Sequence, residues 1–268
     1  MTERPEITPL GDGAEFDLIR RFYSGAGARP RREIPVGPGD DCAVVTGEGI
    51  ALSSELSVEG IHFRREWLSP REIGFRAAAG ALSDLAAVAA RPIGLLAALA
   101  LPERDAGAFA EELMAGVREA AEMFGGTLLG GDLSRSLGAV VIAVTVVGEA
   151  PDPVLRSGAL PGDELWVTGE LGGAAAAVQA LLAEEAPDPS ARERFARPRA
   201  RIPEARWLAA RGVLRAMVDL SDGLAGDAAH LAAASGVAVL LSAELIPVHP
   251  AALARAESRG DALRLAMS

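Results

Sequence analysis

The feature that most constrains this chain is the interleaving of short β-branched runs with alanine-rich helical stretches, from CAVVT at 42–46 to GVAVLL at 236–241. Strands and helices that alternate in this way define an α/β (α+β) class, and no tandem repeat of solenoid period is present. AVVIAVTVVGEA (139–150) is the strongest strand candidate, β-branched and bounded by turns. CAVVT and IALSS (50–54), separated by Gly-Glu-Gly, read as a hairpin, and IGLLAALALP (93–102) as a further strand. The spacing predicts a helix over 70–90 that Arg91-Pro92 stops, then one capped by Asp105 with Phe109, Leu113, Val117, Ala121 and Phe124 on one face. EFDLIRRF (15–22) suggests a short amphipathic helix before a Gly/Pro/Arg-rich loop over 25–40. Composition breaks at PDPVLRSGALPGD (151–163), which divides the chain into domains 1–149 and 150–268. Beyond the break, strands are expected at 164–169, 216–221 and 236–241, with an alanine-rich helix after the first. A charged stretch over 185–204, a helix near 204–212 and another near 222–234 complete the pattern.

Composition narrows the chemistry. With 268 residues, 50% of them hydrophobic, the chain can bury a sizeable core, and a formal net charge of −11 argues against nucleic acid or an anionic membrane as partner. All 26 basic residues are arginine, and the chain contains neither lysine nor asparagine. That excludes a GxxxxGK[ST] phosphate loop, a protein-kinase site and Schiff-base catalysis. Cys42 is the single cysteine, so no intrachain disulfide or Cys-based zinc cluster forms, and a cytoplasmic setting is expected. His62, His230 and His249 show no paired metal-site spacing. The N-terminus lacks a signal core, and Asp84, Arg91 and Pro92 interrupt the apolar run 77–101, so a soluble protein is expected.

Acidic residues cluster at the ends of apolar runs beside small residues: Asp40 and Asp41 in GDDCAVV, Glu55 in SSELSVEGIHF, Asp84 in ALSDLAA, Asp132 in LLGGDLSRS, and Asp219 and Asp222 in DLSDGL. Carboxylates that converge must share protons or bind cations, and oxygen-only ligands suit Mg²⁺. Singly, each has an ordinary structural reading: an Asp-Gly pair is a turn, and Ser221-Asp222 a helix cap. Gly130 and Gly131 let a phosphate approach the backbone, with Ser134 and Arg135 as donors, although a tight turn explains them equally. Arg156 is a candidate phosphate clamp through its planar fork, and Cys42 reads as a buried, inert thiol.

The ordered set GDDCAVV, SVEGIHF with the preceding Ser53-Ser54-Glu55 triplet, LSDLAAVAARP, GGDLSRS, RSGALPGDELWVTG and DLSDGLAGDAAHLA resembles the thiamine-monophosphate kinase family. That family's superfamily also holds aminoimidazole ribonucleotide synthetase, selenophosphate synthetase and a hydrogenase-maturation protein. The resemblance runs from residue 15 to the last residue. It implies transfer of the ATP γ-phosphoryl group to thiamine monophosphate, several Mg²⁺ ions, and a homodimer whose N-terminal sheets join. By motif, Asp41, Ser54, Glu55, Asp84, Asp132, Asp219 and Asp222 correspond to the magnesium positions, with Ser53 second to Ser54. Gly131, Asp132, Arg156 and Ser221 correspond to nucleotide contacts, and His62 to the thiamine-phosphate contact. No side chain is assigned as nucleophile or general base.

Three departures accompany the resemblance. Glu55 stands where the family carries Asp, Ala81 replaces an Asn, and the sequence stops at LRLAMS where the family continues with Gly-Gly-Glu-Asp-Tyr-Glu-Leu. The second domain is therefore expected to be short of its last segment. They leave open a non-catalytic nucleotide-binding or dimerising remnant. Another ATP-dependent synthetase of the superfamily is the third reading, weakened by the missing lysine.

Overall fold

The computed structural model describes residues 43–45, 49–105 and 107–267. The expected helix at 15–22, the loop after it, and Asp40, Asp41 and Cys42 lie outside the described residues.

The first half is a five-stranded sheet in the order β1-β2-β5-β3-β4. Its strands are β1 (Ala43–Val45), β2 (Ile50–Val58), β3 (Arg91–Leu101), β4 (Leu128–Arg135) and β5 (Val141–Glu149). β3 and β4 run parallel, and the other neighbours are antiparallel. The expected hairpin forms through β1 and β2, and the run at 139–150 is indeed a strand, lying at the centre of the sheet. β5 alternates strictly: Ile142, Val144 and Val146 are buried, while Val141, Ala143, Thr145 and Val147 are half-buried on the other face.

Helices α1 (Pro70–Ala87) and α2 (Ala108–Met123) cover the buried face. α1 starts at a capping box in which Ser69 Oγ accepts the Glu72 N–H and Glu72 accepts the Ser69 N–H. It packs against α2 at van der Waals contact of the two backbones. A Cβ at Gly74 would fall 1.9 Å from the Leu113 carbonyl oxygen, and one at Gly116 1.9 Å from that of Arg71, so both positions demand glycine. Leu113, Val117 and Ala121 form the buried stripe expected of α2, with Phe124 just beyond its end. Asp105 does not cap that helix. It closes a 3₁₀ turn (Glu103–Asp105) and binds Arg65 instead, and Gly107 takes the cap position.

The second half contributes α3 (Gly173–Leu182), α4 (Pro189–Ala196), α5 (Ile202–Ala209), α6 (Leu224–Ser235), α7 (Pro250–Arg255) and α8 (Arg259–Met267). The segments 164–169, 216–221 and 236–241 are not strands. Apart from an isolated Leu171–Val248 bridge, no ladder forms there among the described residues, and chain without a ladder partner is not a strand. α4, hidden in the charged stretch 185–204, docks on α1. Arg192 forks onto Glu72 at 2.7 and 3.0 Å and also donates to the Trp67 carbonyl at 3.1 Å. Phe195 packs edge-on to Trp67, the Arg76 guanidinium lies over the Phe195 ring, and Arg197 binds Glu119 on α2. The fork holds the Glu72 carboxyl down at about 2, from an ordinary value near 4.5. None of the described helices is long and apolar enough to cross a membrane.

Candidate active site

The candidate residues fall into four places. The first lies between β2 and α1. Ser53 Oγ donates to Asp84 Oδ2 at 2.5 Å, and Asp84 is 8% exposed near the end of α1. Ala51 is fully buried, so the two-residue period puts Ser53 and Glu55 on the same side of β2, Ser53 half-buried against α1 and Glu55 exposed. Ser54 belongs to the opposite face. It pairs with Thr145 across the ladder, and the two hydroxyl oxygens are 2.9 Å apart. Within the triplet, Ser53 and not Ser54 thus meets the Asp84 carboxylate. Ala81, which replaces the family's Asn, is fully buried in the same helix.

The second place is the edge strand β4. A Cβ at Gly131 would lie 1.8 Å from the Ala97 carbonyl oxygen, so the glycine is required by the close approach of β3. Asp132 follows it, exposed and opposite Ala98. The row Leu56–Ala143–Ala98–Asp132 crosses the sheet, which sets Asp132 three strand spacings, about 14 Å, from β2. Arg135 pairs with Glu103 at 4.0 Å.

The third place is the turn that carries Asp219, Ser221 and Asp222 ahead of α6. Asp227 Oδ2 accepts the Ser221 N–H at 3.0 Å and the Asp222 N–H at 3.2 Å. Asp227 is 3% exposed, and burial pushes its carboxyl up to about 6, with the Asp222 carboxylate adding to the rise while the two N–H groups and Arg156 oppose it. Ligand atoms of Asp222, Asp227 and His230 lie within 4.8 Å of one another. Arg156 is tied to the far end of α6, where Ser235 Oγ donates to its carbonyl at 2.9 Å and accepts the Ala159 N–H at 3.2 Å.

The fourth is the turn holding His62. His62 Nδ1 accepts the Val58 N–H at 3.0 Å, so the proton of a neutral ring sits on Nε2. Buried Phe63 anchors the turn, and Glu59 accepts the Val140 N–H at 2.8 Å. Arg65 bridges Glu59 and Asp105 and holds the Asp105 carboxyl below the usual carboxylate range. Asp41 lies outside the described residues.

Sequence reasoning gave no role to Thr145, Asp227 and Ser235, and read His230 as showing no metal-site spacing. The signal for two of them was the i,i+3 spacing of Asp227 and His230, five and eight residues beyond Asp222. Glu55, Asp84, Asp132, Asp219 and Asp222, spread over three of these places, each offer hard oxygen ligands of the kind that suits Mg²⁺, and among the described residues the acids whose ligand atoms converge are Asp222 and Asp227, with His230.

Residues 39–150 match the family model for AIR synthase related protein, N-terminal domain, and residues 161–266 match that for the C-terminal domain. The fold and its acidic turns are therefore those of a two-domain AIR synthase-related protein. The thiamine-monophosphate kinase of Mycobacterium tuberculosis is 36% identical over 260 residues, which cover 95% of this chain and 76% of that protein. The structure of thiamine monophosphate kinase from Aquifex aeolicus superposes with a TM-score of 0.81 at 30% identity, covering 95% of this chain and 84% of that one. A structure described as AaThiL complexed with AMPPCP and TMP gives a TM-score of 0.83 at 31% identity, over 96% of this chain and 81% of that one. The chain belongs to the thiamine-monophosphate kinase family.

Proposed function

We propose that the protein transfers the γ-phosphoryl group of ATP to thiamine monophosphate, giving thiamine diphosphate and ADP. The observation that carries this reading is the likeness, at TM-score 0.83 and over 96% of the chain, to a relative complexed with AMPPCP and TMP. In this reading Gly131, Asp132, Arg156 and Ser221 bind the nucleotide, and His62 offers its Nε2–H to the phosphate of thiamine monophosphate. Asp41, Ser54, Glu55, Asp84, Asp132, Asp219 and Asp222 hold Mg²⁺.

The attacking atom is a substrate phosphate oxygen whose second pKa is about 6, so it is largely ionised near neutral pH and no strong general base is needed. The barrier is then the repulsion of two anions brought in line, and positioning and charge stabilisation supply most of the rate. Bound Mg²⁺ neutralises phosphate charge that a chain without lysine meets with arginine alone. Arg156 orients phosphate oxygens through its planar fork, and the turn at Ser221 presents its hydroxyl to them while Asp227 holds its N–H.

We further assign the division into domains 1–149 and 150–268, a cytoplasmic setting, and a homodimer formed through the uncovered face of the sheet. There Leu56 and Leu96 stand 52% and 42% exposed, Leu96 on a strand whose other face is buried. Incubating the protein with Mg-ATP and thiamine monophosphate and separating the products by chromatography tests the activity. Thiamine diphosphate is expected, and its absence from a folded preparation overturns the reading.

A further inference from the structure

We propose that α6 is the positioning element of the nucleotide half of the site, acting through Asp227 at its start and Ser235 at its end. This rests on the reading of Ser221, Asp222 and Arg156 given above, but none of those residues explains why the chain around them is held where it is.

Asp227 is the group that fixes the turn. Its Oδ2 accepts two successive N–H groups, from Ser221 and Asp222, and its burial removes the water that would otherwise compete for them. Gly223, the cap residue of α6, brings no side chain to this helix start, so Asp227 supplies from inside the first turn what a cap supplies from outside. At the other end Ser235 uses both capacities of its hydroxyl, donating to the Arg156 carbonyl and accepting the Ala159 N–H. A helix rises about 1.5 Å per residue, so the two anchors stand about 12 Å apart on one rigid rod. The separation of the Ser221–Asp222 turn from the Arg156 segment is thereby set by α6 rather than by the loops that carry them.

Asp227 also lies in the cluster with Asp222 and His230, so a rival role as direct metal ligand makes a different forecast. A positioning carboxylate needs only an acceptor oxygen, which Asn retains. A ligand needs the charge, which Asn lacks.

Two measurements on the full chain decide the matter. Amide hydrogen exchange reads the backbone without nucleotide: Asp227→Ala should speed exchange at Ser221 and Asp222 by about tenfold or more, and Ser235→Ala should do so at Ala159. Calorimetric binding of AMPPCP at fixed and at varied Mg²⁺ reads the consequence. Asp227→Ala should weaken binding about tenfold and raise the Mg²⁺ concentration at half-saturation, while Asp227→Asn stays within about threefold of wild type. Ser235→Ala should weaken binding without moving the Mg²⁺ midpoint.

The inference is overturned if exchange at these amides is unchanged, or if the alanine variants merely melt earlier while their folded fraction binds as wild type. It is also overturned if Asp227→Asn is as damaged as Asp227→Ala, which would make Asp227 a ligand. Wild-type protein that binds no AMPPCP at any Mg²⁺ concentration would sink the functional reading instead, and the exchange measurement would still decide what α6 holds.

Discussion

At the residue scale, Gly131 and Asp132 show how one short motif serves fold and chemistry through different atoms. The pair of glycines before Asp132 suggests, from sequence, a backbone that a phosphate approaches. In the structure the neighbour that forbids a side chain at Gly131 is the Ala97 carbonyl of β3. Gly131→Ala should therefore destabilise the protein by about 1–3 kcal/mol in urea unfolding, because strand must move from strand. Asp132 behaves oppositely: it is exposed on the edge strand, so Asp132→Ala should leave the melting temperature unchanged while turnover falls on the order of a hundredfold. A variant that kept wild-type activity would remove Asp132 from the site. Residue types are readable from the sequence here, and the choice between adjacent ones is not. Ser53 and Ser54 are indistinguishable by type, and only the pleat of β2 sends one to Asp84 and the other to Thr145.

At the scale of elements, α1 and α4 act as a pair. The Arg192–Glu72 fork joins them, and Glu72 also closes the capping box of α1. Its depressed pKa means that the stabilisation is present in full above about 4.5 and disappears as the pH falls toward about 2. Glu72→Gln should accordingly lower stability most at neutral pH, and wild type and variant should converge as unfolding is measured at successively lower pH. A gap that stayed constant with pH would show that the charge contributes nothing. β5 is readable from sequence because its alternation is strict and it lies between two strands that satisfy both its edges. The runs at 164–169, 216–221 and 236–241 have comparable composition and are not strands, since a ladder is a property of two segments and periodicity reports only one. α4 escapes detection for a different reason: its buried face is only Ala191, Phe195 and Ala196, and the arginines that look like a solvated surface are its docking groups.

For the whole molecule, the sheet has one face under helices and one bearing exposed leucines, and the proposed dimer joins the sheets on the latter, beside Ser54 and Asp132. Leu96→Glu, on a central strand at 42% exposure, should yield a folded monomer by sedimentation with an unchanged circular dichroism spectrum. Sedimentation as a dimer would place the partner elsewhere. The grip of Arg192 has a mechanical consequence as well. Glu72 lies in the first turn of α1, and Asp84 twelve residues further along the same helix, about 18 Å away. The docking of α4 and the carboxylate of the first site are thus borne by one unbroken rod, so the second half of the molecule grips the same rigid element that carries a metal-binding candidate of the first.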